Sequence, residues 1–319
     1  MKSIISCIKC TAYIVLFCPL LLKAQSEQDG LMMSKNLFCT GLMASSNSFT
    51  NYWEGTLKRN NANLGKVTSN MVSFMGNYGI NDQLNLIFNL PYVSNRASAG
   101  TLHPMRGLQD ASVWLKWMPL EKDLGKGAFS CYLLGGASTP LSNYIADFLP
   151  LSIGLKSKTV SGRLMGDYQL GDFFVTASAT YTYRASINVE RNAYYYPHNL
   201  VLSNQVNMPD ASSLALRLGY RKGASRVAEL LLYQNNTLGG NDIRRNDMPF
   251  PSYKMNSTVA GFNLKYEFNS GLSLIGNGGF VLAGRNVGQS STFTVGAVYI
   301  FDLPLFSKKK KESDSDQKK

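Results

Sequence analysis

The stretch Phe173–Arg184, FFVTASATYTYR, decides the predicted fold of this chain. From Val175 onward, apolar or small side chains alternate with Thr, Ser and Arg at every second position. A period of two is typical of a β-strand with one apolar and one polar face. The run is long enough to cross a bilayer when tilted, which takes about 9–11 residues, whereas strands are usually about 5–6 residues long. Length and alternation together predict a strand of an outer-membrane barrel, with lipid outside and water or a polar plug inside.

The same alternation recurs along the chain in about 12 runs, from Thr50–Arg59 to Thr292–Phe301. Short or medium connections follow the even-numbered runs, and all very long connections follow odd-numbered ones. A barrel with both chain ends in the periplasm has this arrangement, whereas a soluble β-sandwich has no reason to adopt it. The sequence therefore predicts an all-β fold, a transmembrane antiparallel up-and-down β-barrel of the outer-membrane type.

Composition agrees with a barrel and excludes several other classes. Charged residues make up 16% of the chain, against about 25% in ordinary soluble domains. No run after residue 30 approaches the roughly 18 apolar residues of a membrane helix. The net charge of +12 forms no stripe of Lys and Arg interleaved with aromatic residues, so nucleic acid is not expected as a partner. The expected partners are outer-membrane lipid and a small-molecule ligand of unknown identity, and the oligomeric state is left open.

Both ends of the chain differ from the barrel pattern. Residues 1–24 resemble a secretory signal peptide, with Lys2 and Lys9 before the apolar run Thr11–Leu22. Residues 25–48 lack clean periodicity and are expected to be either an N-terminal leader or a plug, packed into or beneath the barrel. The predicted barrel spans 49–303, and 304–319 form a Lys-rich disordered tail that is either solvated or touches anionic lipid headgroups or other periplasmic polyanions. The expected location is the outer membrane of a Gram-negative bacterium, after cleavage of the signal peptide.

Several turns and strand ends resemble a known family. The matching stretches are Tyr52–Thr56 (YWEGT), Asn63–Gly65 (NLG), Tyr78–Leu84 (YGINDQL), Leu90–Val93 (LPYV), Gly107–Asp110 (GLQD) and Leu115–Trp117 (LKW). They are similar to the "MetA-pathway of phenol degradation" family of outer-membrane barrels, which is grouped distantly with FadL-like carriers of hydrophobic molecules. The resemblance implies a barrel fold and the passage of aromatic compounds, and it brings no catalytic residues. The Lys-rich tail departs from the usual ending of such barrels at a terminal aromatic residue, a role that Phe301 is expected to fill with the tail added after it.

Charged residues on the predicted inward face are candidates for lining a pore and setting its selectivity. The alternative is a set of lumenal salt bridges that make a closed barrel rigid. The candidates are Glu54, Lys58, Lys116, Arg163, Asp167, Arg184, Arg217, Glu229, Lys265 and Glu267.

Aromatic residues in the predicted outer loops form a second candidate set: Tyr194, Tyr195, Tyr196 and Phe250. They are candidates for an aromatic gate or a docking surface. The alternative is that they pack the loops over the barrel mouth.

A catalytic or metal site is not expected. The two histidines, His103 and His198, both fall in predicted outer loops, and neither has a serine at strand-compatible spacing. A pairing of His198 with Asp147 or Asp210 does not indicate a catalytic site, because any two loops offer pairs of this kind. No carboxylate cluster has the spacing of a cation-binding loop, so no cofactor and no metal are predicted.

The sequence thus favours a non-enzymatic channel or transporter for small molecules, with hydrophobic or aromatic ones among them. The alternative from another functional class is a closed structural or adhesive barrel whose long surface loops bind a partner.

Overall fold

The computed structural model describes residues 26–196, 199–223, 225–245 and 247–305. The predicted signal peptide at 1–24 and the predicted tail from residue 306 onward lie outside these ranges, so both stay predictions. In the described ranges no helix has the length and hydropathy needed to span a membrane.

Within the described residues, twelve long strands form one closed antiparallel barrel, which confirms the predicted fold class. Each strand pairs with its neighbours in chain order. The strands are β1 Leu37–Phe49, β2 Val67–Asn81, β3 Leu84–Ala97, β4 Asp110–Leu124, β5 Gly127–Pro140, β6 Thr159–Leu170, β7 Phe173–Arg184, β8 Ala211–Lys222, β9 Arg226–Thr237, β10 Asn256–Glu267, β11 Leu272–Arg285 and β12 Ser291–Asp302.

The barrel closes through pairing of its first and last strands. The register runs without interruption from Leu37 opposite Asp302 to Ser48 opposite Ser291. On its other side β1 pairs with β2, from Phe38 opposite Tyr78 to Phe49 opposite Val67. Closure leaves the sheet without an open edge, and an open edge is what a membrane does not tolerate because its backbone groups would lack hydrogen-bond partners.

The two ends of the barrel differ in their connections. At the end called here the turn end, the connections are the short segments 82–83, 125–126, 171–172, 223–225 and 268–271. At the other end, called the loop end, the connections are 50–66, 98–109, 141–158, 185–210, 238–255 and 286–290. β1 starts and β12 stops at the turn end. The predicted alternation of short and long connections is therefore confirmed.

The prediction for the first strand is wrong. Thr50–Arg59 lies in the β1–β2 connection, where Asn51–Glu54 and Leu57–Asn60 pair as a small hairpin. The first wall strand is Leu37–Phe49, inside the stretch that was predicted as a leader. Its two faces contrast weakly, because Cys39 and Met43 fall on alternate positions to Thr40, Ala44 and Ser46. An apolar inward face hides the alternation on which the prediction depended.

The outer wall of the barrel is a continuous apolar surface. Large apolar side chains stand exposed at alternate positions of most strands, for example Val72 and Phe74 on β2 and Leu214, Leu216 and Leu218 on β8. Aromatic residues gather near the turn end, where Tyr299 stacks on Phe301, Phe173 meets Tyr220 edge to face, and Tyr266 meets Phe268 in the same way. An apolar band with an aromatic girdle is the surface of a barrel embedded in lipid.

Candidate functional site in the barrel lumen

Residues 26–36, called here the N-terminal segment, run inside the barrel. Their anchor is Lys116, whose side chain is fully buried. Its Nζ donates to the carbonyl oxygens of Ser26 at 3.2 Å, Asp29 at 2.6 Å and Leu31 at 2.7 Å, and it pairs with Asp29 Oδ1 at 3.2 Å. A buried ammonium is strongly destabilising unless it is paired and hydrogen-bonded. The segment therefore satisfies Lys116, and Lys116 holds the segment.

Further contacts fix the segment against the wall. Tyr132 Oη donates to the carbonyl oxygen of Gly30 at 2.8 Å, and Arg163 Nη1 donates to that of Glu27 at 2.7 Å. A Cβ added at Gly30 would collide with the carboxylate of Asp167. The segment therefore approaches the wall as closely as only glycine permits.

The stretch predicted as a leader or plug is thus divided in two. Residues 26–36 lie within the lumen, and from Leu37 the same chain continues as wall strand β1. At the turn end, the amide of Asn36 donates to the carbonyl oxygen of Gly79 at 2.8 Å, and the amide of Lys35 donates to Asp82 Oδ1 at 3.0 Å. These bonds fix the point where the segment enters the barrel.

Most charged lumen candidates near the turn end form ion pairs with other side chains of the wall. Arg217 pairs with Glu229, its Nε donating to Oε2 at 3.2 Å, and Asn263 Nδ2 donates to Oε1 of the same carboxylate at 2.7 Å. Arg221 Nη1 lies 3.0 Å from Asp167 Oδ2.

Lys265 and Glu267 make a similar pair on one strand, with 3.3 Å between Nζ and Oε2. These contacts are the lumenal salt bridges that the sequence offered as the alternative to pore lining. Any effect of these residues on selectivity stays a prediction.

Two lumen candidates, Arg163 and Arg184, differ from the others. In the described part of the chain, neither guanidinium lies within 4.0 Å of a carboxylate oxygen. Arg163 Nε donates to Thr180 Oγ1 at 2.8 Å, and its Cζ lies 4.9 Å from the centroid of the Trp114 ring. Both arginines lie toward the loop end of the lumen, Arg184 being the last residue of β7.

The remaining two lumen candidates do not belong to the wall. Glu54 and Lys58 lie in the small hairpin of the β1–β2 connection. Glu54 pairs there with Arg59, whose Nε lies 2.8 Å from Oε2. Their placement follows from the misassigned first strand, and it is a correction to the predicted lumen set.

The lumen contains cavities on both sides of the N-terminal segment. The larger, called here the central cavity, has a volume of about 430 Å³ and is bounded in part by Ser26–Asp29. Its apolar lining includes Met43, Met71, Met75, Ile87, Trp114 and Ile275. Its polar lining includes Arg217, Glu229, Asn263, Lys265 and Asn277.

A second cavity of about 350 Å³ is lined by Gly30–Ser34 together with Met118, Ser130 and Gln169 of the wall. The N-terminal segment thus divides the lumen, which leaves a chamber of mixed polarity on one side and a smaller space on the other.

Three long connections pack together over the loop end. Their apolar side chains form a buried cluster, called here the loop cluster: Ala146, Ile187, Val189, Val206, Met208, Ile243, Phe250 and Tyr253. Phe250 stacks on Tyr194 with centroids 5.2 Å apart, and Arg191 lies over the Phe250 ring at 5.6 Å while pairing with Asp147.

The other loop aromatics lie nearer the surface. Tyr195 is exposed beneath Arg244, whose Cζ lies 4.4 Å from its ring centroid, and Tyr196 is half-buried. Phe250 and Tyr194 therefore pack the loops together, which was one of the two interpretations offered from the sequence. A gating or docking role for the four aromatics stays a prediction.

Of the residues considered for catalysis, His103 is exposed in the 98–109 connection, and the others are engaged elsewhere or lie outside the described residues. Asp147 pairs with Arg191, and Asp210 accepts hydrogen bonds from the Tyr181 hydroxyl and the Arg184 amide. His198 lies outside the described residues. No group of three or more metal-ligating side chains occurs in the described ranges. That the protein is not an enzyme stays a prediction.

Sequence reasoning missed several residues that shape the site. Trp114, Thr180 and Asn263 sit at inward positions of strands that were correctly located, so the alternation itself could have found them. Asp29 and Gly30 could not be found in this way, because their segment has no secondary-structure period.

Comparison with solved structures identifies the fold. The COG4313 outer membrane channel from Pseudomonas putida F1 superposes with a TM-score of 0.66 at 16% sequence identity, covering 87% of this chain and 100% of that one. The fold is that of an outer-membrane β-barrel. The KdgM porin in complex with disordered oligogalacturonate matches at 10% identity with a TM-score of 0.44, covering 82% of the barrel chain described here and 99% of its own.

The translocator domain of autotransporter NalP from Neisseria meningitidis matches at 12% identity with a TM-score of 0.44, covering 86% and 90% of the two chains. No protein-family model matches the chain, and no curated protein sequence is significantly similar to it. The FadL-like resemblance therefore stays a prediction, and at these identities the shared fold carries no function with it.

Proposed function

We propose that the barrel is an outer-membrane channel for small molecules, with the N-terminal segment as its main constriction. The observation that supports this proposal is the division of the lumen by a segment that is held through side chains rather than as part of the wall. Apart from the backbone bonds at its entry point, the segment is attached through side chains: Lys116, Tyr132 and Arg163 donate hydrogen bonds to its carbonyl oxygens, and Met32 and Met33 pack in apolar clusters against the wall. Such an attachment is weaker than the continuous backbone pairing of the wall strands, so the segment is the part able to move.

The substrate class follows from the lining of the central cavity. Three methionines and Trp114 supply a polarizable, adaptable apolar surface on one side, and amide and charged groups supply hydrogen bonds on the other. A cavity of about 430 Å³ suits a small molecule. We propose small, partly hydrophobic or aromatic solutes, with the turn end facing the periplasm.

Planar-bilayer conductance tests this proposal. Lys116→Met removes the ammonium that holds the segment while keeping an unbranched side chain of similar length. The variant is expected to raise single-channel conductance at least about two-fold, because the constriction is released. Lys58→Met in the outer hairpin is the matched control, and it is expected to conduct like the unsubstituted protein.

Conductance that is absent in both the unsubstituted protein and Lys116→Met would contradict the channel proposal. A silent barrel would favour the alternative of a closed structural or adhesive protein. The loop cluster is the feature that would serve that role, since it gives the three connections at the loop end a defined, packed shape.

A further inference from the structure

The loop-end pocket is a cavity of about 230 Å³ in the lumen, distinct from the central cavity. Inward positions of β6 to β9 line most of it, and Trp114 of β4 lies at its boundary with the central cavity. The side chains that matter for the argument are Arg163, Arg184, Thr180, Thr182, Ser213 and Asn235.

These side chains are arranged as a row across neighbouring strands. Arg163 stands opposite Thr180 on β7, Thr180 opposite Ser213 on β8, and Ser213 opposite Asn235 on β9. Directly opposed residues of antiparallel strands have Cβ atoms about 4.5–5.5 Å apart, so the row presents hydrogen-bonding groups at close, regular spacing. Thr182 and Arg184 follow at the next two inward positions of β7, nearer the loop end.

The charge balance of the pocket is one-sided. Its lining has two arginines and no carboxylate among the described residues. The nearest acidic residue in sequence, Asp210, is occupied by the Tyr181 hydroxyl and by the backbone amide of Arg184. By contrast, Arg217 and Arg221 near the turn end each face a carboxylate within the wall. Among the described residues, the barrel therefore pairs its arginines with contacting carboxylates near the turn end and leaves Arg163 and Arg184 without one near the loop end, where Asp210 attracts Arg184 from beyond ion-pair distance.

A guanidinium that is removed from bulk water without an anionic partner is costly, and it is suited to an oxyanion because its planar fork matches a carboxylate. The pocket is smaller than the roughly 300–1,000 Å³ that hold drug-sized ligands. Trp114 and Met255 add an apolar side to it. These features together fit a small organic anion with one oxyanion group and an apolar body.

We propose that the loop-end pocket is a binding site for a small organic carboxylate, with Arg163 and Arg184 as the oxyanion receptors and the Thr180–Ser213–Asn235 row as additional donors. The identification of this anion as transported cargo rests on the proposed channel function. The existence of the site does not rest on the channel function, because binding is measured at equilibrium whether or not the barrel conducts.

Binding of benzoate to the purified barrel in detergent at low salt tests the site, followed by quenching of tryptophan fluorescence. Benzamide is the neutral probe of the same shape, and inorganic phosphate is the oxyanion without an apolar body. Benzoate is expected to saturate and to bind about ten-fold or more tightly than benzamide, which corresponds to one charge-assisted hydrogen bond. Equal affinity for benzoate and benzamide would overturn the proposal. Equal affinity for benzoate and phosphate would contradict the claim that the pocket recognises an apolar body together with the oxyanion.

Arg184→Gln is the decisive variant, because the Arg184 side chain makes no hydrogen bond or ion pair within the described residues and its loss leaves the wall unchanged. It is expected to weaken benzoate binding about ten-fold or more, and Arg184→Lys is expected to restore part of the loss. Arg96→Gln, on an exposed position of β3 near the loop end, is the matched control and is expected to bind normally. Undiminished binding by Arg184→Gln would contradict the assignment of this residue.

The outcome separates the two proposals. Benzoate binding by a barrel that does not conduct would support the site and contradict its role in transport. Conductance without benzoate binding would contradict the site and leave the channel in place.

Discussion

At the scale of single residues, two positions determine how the N-terminal segment fits the lumen. Lys116 accepts full burial because the segment offers it three carbonyl oxygens and a carboxylate. Gly30 allows the backbone to touch the wall beside Asp167, which is itself held by Arg221 and by the Thr176 hydroxyl. A rigid carboxylate opposite a residue without a side chain leaves no room for adjustment.

Substitution of Gly30 therefore displaces the segment. Gly30→Ala places a methyl group against the Asp167 carboxylate, and the segment must move away from the wall to relieve the clash. Single-channel conductance is expected to rise about two-fold, as in Lys116→Met. Gly135→Ala is the matched control, because a Cβ at that wall position meets no neighbouring atom within 4 Å. Identical conductance of the two glycine variants would show that the segment does not obstruct the lumen.

At the scale of elements, alternation located eleven of the twelve wall strands, and it failed where the two faces of a strand resemble each other. β7 reads clearly because Thr and Ser alternate with Val, Ala and Tyr. β1 does not, because Cys39 on its inward face packs against Met33 and Val298. Where the inner face of a barrel is apolar, apolar and polar residues no longer alternate in the sequence, so the strand cannot be recognised from that pattern.

The site was less predictable than the fold. The inward direction of Lys116, Asp167 and Arg217 follows from strand parity, since a one-residue shift would reverse every side chain. Which charges would find a partner depends on register between strands that are distant in sequence. The pairing of Arg221 with Asp167 joins residues on β8 and β6 through the intervening β7, and no local pattern encodes it.

The ion pair between Asp29 and Lys116 makes the attachment of the N-terminal segment dependent on pH. Burial raises the pKa of Asp29, but the attraction of Lys116 and then of Arg217 outweighs that effect and holds the pKa below its ordinary value of 3.8. A lowered pKa means that the pair stabilises the segment above about pH 4 and loses this stabilisation as the pH falls through the still lower pKa of the folded state.

Conductance is therefore expected to be constant between about pH 7 and pH 5 and to rise only below about pH 4. Asp29→Asn should show the raised conductance already at neutral pH. Asp242→Asn, which removes a carboxylate from an outer connection, should keep the original pH profile. A midpoint above about pH 5 in the unsubstituted protein would assign the transition to another group.

At the scale of the whole molecule, the lumen is restricted at two places. The N-terminal segment divides it on the side of the turn end, and the loop cluster covers it at the loop end. The two restrictions share no residue and are attached to different parts of the barrel. For a solute that passes both, they act as resistances in series. The larger resistance therefore limits the flow, and a change in the smaller one has little effect on conductance.

This arrangement predicts a non-additive pair of substitutions. Phe250→Ala removes the ring that joins Tyr194, Tyr253 and Arg191, and loss of a buried Phe side chain costs about 3–5 kcal/mol where it is fully packed. The loops are expected to loosen, seen as faster proteolysis of the 185–210 connection, while the thermal stability of the wall stays the same because its hydrogen bonds are independent of the cluster. Tyr195→Ala, at an exposed loop ring, is the control and should leave proteolysis unchanged.

Phe250→Ala alone is expected to change conductance little, because the N-terminal segment still limits it. In combination with Lys116→Met, it should raise conductance beyond the sum of the two single effects, since removal of both series restrictions exposes the full lumen. Strictly additive gains would mean that ions reach the central cavity without passing the loop cluster. The path into the barrel would then run between the loops and the wall, and the loop-end pocket would lie beside that path rather than on it.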